Sequence, residues 1–146
     1  MRTQMVRVTF ILDPADWHGA STERLWASPL GPSRYRIENS PFYVKGVSYC
    51  DIVLALEGAD EIAFSHVLSH AGHSTYRMFV HQWPRFDEYW SPIQAMGCSY
   101  EEGIVLAVDV PPASDIEKVY SLLEAGEDSG VWGFEEGHCG HTVGRG

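Results

Sequence analysis

Residues 62–80, IAFSHVLSHAGHSTYRMFV, contain two predicted strands and the polar turn at which the two halves of the chain meet. From Ile62 to His70 apolar and imidazole side chains recur at every second position, the period of a β-strand. The segment from Tyr76 to Val80 is a second strand, and Gly72 lies in the polar turn between the two. At this glycine the sequence pattern changes from closely spaced strands to alternating strands and helices, and no linker separates the two halves. We therefore predict one domain over residues 1–146 with two lobes, 1–72 mostly β and 73–146 α/β.

Upstream of this turn the sequence predicts short strands separated by turns. Apolar residues occupy alternate positions from Val6 to Leu12, and Tyr35 and Ile37 alternate with charged neighbours. An apolar run over residues 52–56 then leads into the hairpin that ends at His70. Short strands at close intervals favour a small curled antiparallel sheet or partial barrel for the N-terminal half.

Downstream of the turn, strands and helices alternate. Residues 85–96 have apolar side chains at helical spacing despite Pro92, and residues 104–110 are a continuous apolar run typical of a central strand. Ser114 and Glu117 have the spacing of a capping box before a second helix that runs to Ala125. A closing strand follows at residues 131–134. The C-terminal half is thus predicted to be a β-α-β-α-β lobe, and the fold class to be α+β.

Composition and charge narrow the function. The 146 residues include 20 acidic and 10 basic side chains, a net charge of -10, and no basic cluster longer than Arg34-Tyr35-Arg36. Nucleic-acid binding is therefore not expected, whereas a basic protein partner is. The sequence shows no targeting segment and no membrane span, which predicts a cytoplasmic protein without membrane contact. Cys50, Cys98 and Cys139 form no paired motif and are predicted to be reduced thiols.

The turn and the C-terminal tail hold the candidate catalytic residues. In a pocket between the lobes, Arg77 would hold an anionic group of a substrate and His73, beside Ser74, would transfer protons. Glu136 precedes the tail, and Cys139 would act there as nucleophile or as metal ligand. The catalytic set predicted from the sequence is His73, Ser74, Arg77, Glu136 and Cys139.

Two groups of histidines raise the question of a metal ion. His66 and His70 would lie about 13 Å apart on a strand, at about 3.3 Å per residue, which is too far for one ion. His138, Cys139 and His141 combine imidazole and thiolate ligands within four residues and are the predicted ligands of zinc or another divalent transition metal. The primary expectation is that the protein has no cofactor, and this metal site is the alternative.

Several segments of the chain together carry a family resemblance. They are Glu23-Arg24-Leu25-Trp26-Ala27, Tyr35-Arg36-Ile37-Glu38-Asn39, Pro41-Phe42, Gly46-Val47-Ser48-Tyr49, Asp51-Ile52-Val53, Gly72-His73-Ser74-Thr75 and Arg77. In these segments the chain resembles a bacterial family known as domain of unknown function 4265. The resemblance is strongest from Glu23 to Arg77 and spans most of the chain. Such sequences usually have a glycine before the Asp-Ile-Val segment, where Cys50 stands here. The family implies a small bacterial protein with a recurring His-Ser-Thr turn, and it implies no activity.

Two classes of function follow from these observations. The first is a non-catalytic binding or regulatory protein, similar in role to an immunity protein, whose acidic surface occludes a basic protein partner. The second is a small enzyme, of specialised metabolism for example, with the His/Ser/Arg pocket between its lobes and a metal or thiol contribution from the C-terminal His-Cys-x-His. The sequence leaves open whether the protein is an enzyme.

Overall fold

The computed structural model describes residues 4–142 and contains nine strands, two α-helices and one 3-10 turn at Trp83–Arg85. Five strands form the first lobe and four form the second. The strands are β1 (Val6–Ile11), β2 (Thr22–Gly31), β3 (Arg34–Ile37), β4 (Ile52–Glu57), β5 (Ile62–Ser69), β6 (Ser74–Val80), β7 (Ser99–Glu102), β8 (Leu106–Val110) and β9 (Trp132–His138), and the helices are α1 (Phe86–Gln94) and α2 (Ile116–Asp128).

The N-terminal lobe is a closed five-stranded barrel in which neighbouring strands follow the chain order from β1 to β5. Consecutive strands are antiparallel, and a short parallel contact between β1 and β5 closes the barrel. The strands alternate because every second side chain fills the barrel, as Phe10, Leu25, Ile37 and Val53 do. The predicted curled sheet or partial barrel is confirmed.

The second lobe is a four-stranded antiparallel sheet in the order β7-β8-β6-β9, with both helices packed against one face. Trp90, Ile93, Val119 and Leu123 of the helices are buried there. Helix α1 keeps Pro92 inside it. Neither helix in residues 4–142 is long and apolar enough to cross a membrane. The α+β class is therefore confirmed.

Two details of this lobe differ from the local sequence pattern. Strand β7 was not predicted, because its residues Ser-Tyr-Glu-Glu carry no apolar alternation, and it forms by pairing with β8 at the sheet edge. The cap of α2 is Asp115, whose carboxylate accepts hydrogen bonds from the backbone N–H groups of Glu117 and Lys118. Ser114 instead donates its hydroxyl to the carbonyl of Met96, at 2.6 Å. The N-cap of α2 therefore lies one residue later in the chain than the sequence pattern predicted.

Strand β6 separates two environments. Tyr76 and Met78 point into the core under the helices. Thr75 and Arg77 point the other way, toward the barrel, where Thr75 bonds to Ser48 and Arg77 to a barrel loop. The alternation of this strand therefore places the polar Thr75 and Arg77 between the lobes, and Tyr76 and Met78 in the core against the helices.

Candidate functional site

A layer of hydrogen-bonded polar side chains lies between the barrel and the barrel-facing side of the second sheet. At its centre the hydroxyls of Ser48 and Thr75, both buried, share a hydrogen bond of 2.6 Å. Thr75 is in register with Asp109 on β8 and with His138 on β9. Each of these two residues belongs to a separate cluster of titratable groups, so β6 has one cluster on each side.

The first cluster joins three elements through Asp51, His70 and His138. Asp51 is fully buried, and its carboxylate accepts hydrogen bonds from the backbone N–H groups of Ser48 and Ala71, both at 2.9 Å. Nδ1 of His70 lies 2.8 Å from the same carboxylate, and the ring of His70 stacks on that of His138 with centroids 4.5 Å apart. A potential ligand atom of each residue lies within 4.8 Å of those of the other two.

His138 is the member of this cluster that has a buried ring nitrogen without a hydrogen bond. Its Nε2 is buried and has no hydrogen-bond partner among the described residues. Burial lowers the pKa of His138 and the neighbouring His70 lowers it further, while Asp51 and Glu136 partly offset the effect. The imidazole therefore favours its neutral form, in which one ring nitrogen carries a free lone pair.

The second cluster pairs His73 with Asp109. Nδ1 of His73 lies 2.8 Å from a carboxylate oxygen of Asp109, and each side chain is only 12% exposed. The ring of Tyr49 meets that of His73 edge-on, with centroids 5.2 Å apart. Burial raises the pKa of Asp109, and its hydrogen bond with His73 and the charges of His73 and His141 oppose that rise.

Asp109 and Tyr49 open onto a cavity of about 260 Å³ at the seam of the two lobes. Its walls come from the barrel loop that follows β3 and from strands β7 and β8. Three of the lining residues are acidic, and the ring of Tyr100 turns away from the cavity to pack against Phe86 and Trp90. The lining consists of Glu38, Ser40, Tyr49, Ser99, Tyr100, Glu101 and Asp109. The cavity suits a small polar molecule that donates hydrogen bonds.

Arg77, the predicted anion-binding residue, is fully buried and does not reach this cavity. Its guanidinium donates to the backbone carbonyls of Phe42 and Val44. The N–H groups of the same loop, residues 42–44, donate to the carboxylate of Glu23. Burial lowers the pKa of Arg77, which the charges of Glu23 and Glu135 oppose. Arg77 therefore holds a loop of the barrel against the second sheet.

Ser74 and His141 form a pair of their own. Because the carbonyl of Pro111 accepts from Nε2 of His141, the other ring nitrogen accepts a 2.6 Å hydrogen bond from the Ser74 hydroxyl. Ser74 is fully buried and also accepts from the N–H of Gly140. Both nitrogens of His141 are thus occupied, and the pair fastens the C-terminal segment onto the start of β6.

Glu136 and Cys139, the remaining predicted residues, lie on the helix side of the sheet. Glu136 accepts a 3.3 Å hydrogen bond from the Tyr76 hydroxyl. Both residues line a cavity of about 360 Å³ whose other walls are Tyr76, Ile116, Glu117 and Tyr120. The Cys139 thiol donates to the carbonyl of His141, at 3.6 Å. The structure therefore does not bring His138, Cys139 and His141 together around one point, and it separates His73 from Glu136 and Cys139.

Local sequence patterns did not indicate Asp51, His70, Tyr49 or Asp109 as site residues. The sequence does contain one feature that marks Asp109: it is the single charged residue in the apolar run of residues 104–110. Asp51 follows Cys50, which adopts a left-handed backbone with φ of 73°. His70 hydrogen-bonds to Asp51, whereas the side chain of His66 hydrogen-bonds to its neighbour Ser65.

Comparison with known proteins supports the fold and leaves the activity open. No curated protein matches this sequence. The crystal structure of a hypothetical protein from Neisseria gonorrhoeae is similar, with a TM-score of 0.83 and 16% sequence identity over 97% of this chain and 100% of that chain. At this identity the likeness shows a shared fold alone. A family profile, "Domain of unknown function (DUF4265)", matches residues 23–134, and because this is more than half of the chain, the protein belongs to that family.

Proposed function

We propose that the protein is a small enzyme that transfers a proton in the cavity between its lobes. The observation that carries this proposal is the pair formed by His73 and Asp109, a 2.8 Å hydrogen bond between two largely buried groups. Asp109 lines the cavity, so its carboxylate is the group that touches the substrate. His73 lies behind it and is the positioning partner. A buried carboxylate of raised pKa beside a histidine is a combination suited to acid-base catalysis.

The lining of the cavity indicates the class of substrate. Glu101 and Glu38, the latter paired with Arg36, place carboxylates near Asp109, and Tyr49 adds a phenol. Lysine is absent from the lining, and so is arginine. At about 260 Å³ the space is slightly smaller than typical drug-sized ligand pockets. We therefore expect a small amine or a small polyhydroxylated compound from which Asp109 removes a proton.

This proposal is tested by incubating the purified protein with a bacterial metabolite extract and following the loss and gain of ions by mass spectrometry. The control is His66→Gln, a substitution on the exposed surface of β5 and far from Asp109. We expect the wild-type protein and this control to convert the same small polar compound. Conversion by Asp109→Asn is expected to be slower by about 100-fold or more. His73→Gln, with its backbone contacts unaltered, serves as the second variant and is expected to be impaired as well.

Two results would contradict the enzyme proposal. One is that the wild-type protein changes no ion in extracts from several bacteria. The other is that Asp109→Asn and His73→Gln convert the compound at the wild-type rate. Circular dichroism of each variant confirms that a lost rate reflects the site and not an unfolded chain.

A second candidate function is favoured by the distribution of charge over the two lobes. Exposed arginines such as Arg7, Arg24 and Arg34 lie on the barrel, whereas Lys118 is the exposed basic side chain of helix α2. The 360 Å³ cavity on the helix side has an aromatic floor flanked by Glu117 and Glu136. Acidic residues cover the exposed surface of the helical layer: Asp87, Glu88, Asp115, Glu117, Glu124, Glu127 and Asp128.

This surface would suit a basic protein partner that inserts a lysine or arginine side chain into the cavity, as expected for a regulatory or immunity-like protein. Affinity capture with native protein and with a Glu117→Lys/Glu124→Lys variant tests it. A basic protein retained by the native bait at low salt and released at high salt, but not retained by the variant, supports this function. This second function is contradicted if Arg24→Glu on the barrel abolishes binding of the captured partner and the helix variant does not.

A further inference from the structure

We propose that Asp51, His70 and His138 bind a divalent transition metal ion at the seam between the lobes, with Zn²⁺ as the best match. This site lies beside β9, on the opposite side of Thr75 from Asp109, and shares no residue with the proton-transfer pair. It goes beyond the proposed function, because the ion would be bound whether or not His73 and Asp109 catalyse a reaction. Three segments supply its ligands: the turn before β4, the residue directly after β5 and the last residue of β9.

The spacing of the three residues is close to that of a metal site. Their potential ligand atoms lie within 4.8 Å of one another. With metal–ligand bonds of about 2.1 Å, ligands on one tetrahedral ion lie about 3.4 Å apart. The side chain of His70 is 44% exposed, so it can rotate by the small amount needed.

Asp51 is held in position before any ion arrives. Its buried carboxylate accepts two backbone hydrogen bonds, from Ser48 and Ala71, and the turn that carries it is closed by the hydrogen bond from its own N–H to the Ser48 carbonyl. Such contacts to the ligating carboxylate orient it and reduce the entropy lost on binding. The ion replaces the proton that His70 shares with Asp51.

His138 supplies the observation that points to a ligand. A buried imidazole nitrogen without a hydrogen bond is costly, and Nε2 of His138 is one of two such side-chain atoms in the described residues. The stacked arrangement of His70 and His138 beside a carboxylate keeps two nitrogens and one oxygen close together. Imidazole ligands with one carboxylate select Zn²⁺ or a similar transition metal over Mg²⁺ and Ca²⁺, which prefer oxygen ligands.

Three protein ligands leave a coordination position open. His70 is the exposed member, and it makes the site reachable from solvent. Three ligands with an open position are the pattern of catalytic zinc sites, whereas structural zinc sites have four protein ligands. The tail residues Cys139 and His141 do not complete the set, because Cys139 lies on the helix side and both ring nitrogens of His141 are hydrogen-bonded.

The test is calorimetric titration of Zn²⁺ into untagged, chelator-treated full-length protein. We expect one ion per chain in the presence of excess Mg²⁺. His138→Gln and His70→Gln are each expected to weaken binding by about 100-fold or more, and Asp51→Asn to do so if it folds. His66→Gln is the matched control, because it removes an exposed histidine from β5, the strand that ends directly before His70. This variant should bind Zn²⁺ as the wild type does.

The proposal is overturned if the wild-type protein binds no stoichiometric Zn²⁺, or if both histidine variants bind as tightly as the wild type. It is also overturned if His66→Gln loses affinity to the same extent as His138→Gln, since binding would then be spread over surface histidines. Thermal unfolding with and without Zn²⁺ provides a second readout: the ion should raise the Tm of the wild type and leave that of His138→Gln unchanged. None of these measurements depends on catalytic activity.

Discussion

Gly137 leaves the space that the guanidinium of Arg77 occupies: a Cβ at position 137 would lie 1.4 Å from Nη1 of Arg77. The two residues lie on neighbouring strands, β9 and β6, and the guanidinium extends past the glycine to the carbonyls of the barrel loop. The carbonyl of Gly137 in turn accepts from the N–H of Gly46 in the barrel. The contact between the lobes therefore depends on the absence of a side chain at one position of β9.

Replacement of Gly137 by alanine is expected to lower the free energy of unfolding by about 3 kcal/mol or more, because Arg77 must move and lose its hydrogen bonds to the loop. Urea denaturation measures the change. Gly133→Ala in the same strand is the control, since its Cβ would meet His81 at an ordinary 3.4 Å, and it should change stability by less than about 1 kcal/mol. Equal losses in the two variants would contradict this account of Arg77.

Asp109 should make stability fall as the pH rises. Burial raises its pKa above the ordinary value of 3.8, so the folded protein holds this proton more tightly than the unfolded chain does. The stabilisation is fully present below pH 3.8 and is lost as the pH rises through the folded-state pKa. Asp109→Asn does not titrate there. The free energy of unfolding of the wild type minus that of Asp109→Asn should therefore decrease with rising pH.

Urea denaturation of both proteins between about pH 3.5 and 5.5 checks the sign, and this range avoids most of the titration of histidine. All other carboxylates contribute equally to both proteins and cancel in the difference. A difference that increases with pH would show that His73 stabilises the ionised carboxylate more than burial destabilises it.

Cys50 has a backbone conformation that favours glycine, with φ of 73°. Placing an L-residue in the left-handed region costs about 1–2 kcal/mol. Glycine avoids this cost but loses more conformational entropy on folding, so the net gain from glycine is smaller. Cys50→Gly is expected to raise the free energy of unfolding by up to about 1 kcal/mol. Cys50→Ala removes the same thiol and keeps the Cβ, so it should bring no gain. A gain of equal size in both variants would assign the effect to the thiol instead of the backbone.

The three thiols should react with alkylating reagents at different rates. Burial raises the pKa of Cys98 to about 12, and it also raises the pKa of Cys50. Alkylation requires the thiolate and access to it, so in the native protein the buried Cys98 should be labelled last. Peptide mass spectrometry after timed exposure to iodoacetamide measures the order. In urea all three should react at similar rates, and native labelling of Cys98 as fast as Cys139 would contradict the burial of its thiol.

Local sequence pattern was sufficient for the strands and helices whose periodicity reports a buried face. The alternation in β1 and the apolar spacing of α2 are properties of a few neighbouring residues, so they predicted both elements. The same reasoning separated His66 from His70, because the rise of a strand is fixed by the backbone. Strand β7 was missed for the converse reason: its polar residues are extended only because β8 pairs with them.

Local sequence patterns thus predicted the α+β class, the two lobes and the polar turn around His73. The contacts of that turn depend on how barrel and sheet pack, because its partners Asp51, Asp109 and His138 come from three distant segments. His70 hydrogen-bonds to Asp51 and stacks on His138, and His73 hydrogen-bonds to Asp109. Arg77 shows the physical reason most directly. A charged residue in a polar turn has the local pattern of a ligand-binding group, yet burial by the loop at residues 42–44 makes it a structural one. Periodicity shows which side of an element is covered, but not which residues cover it.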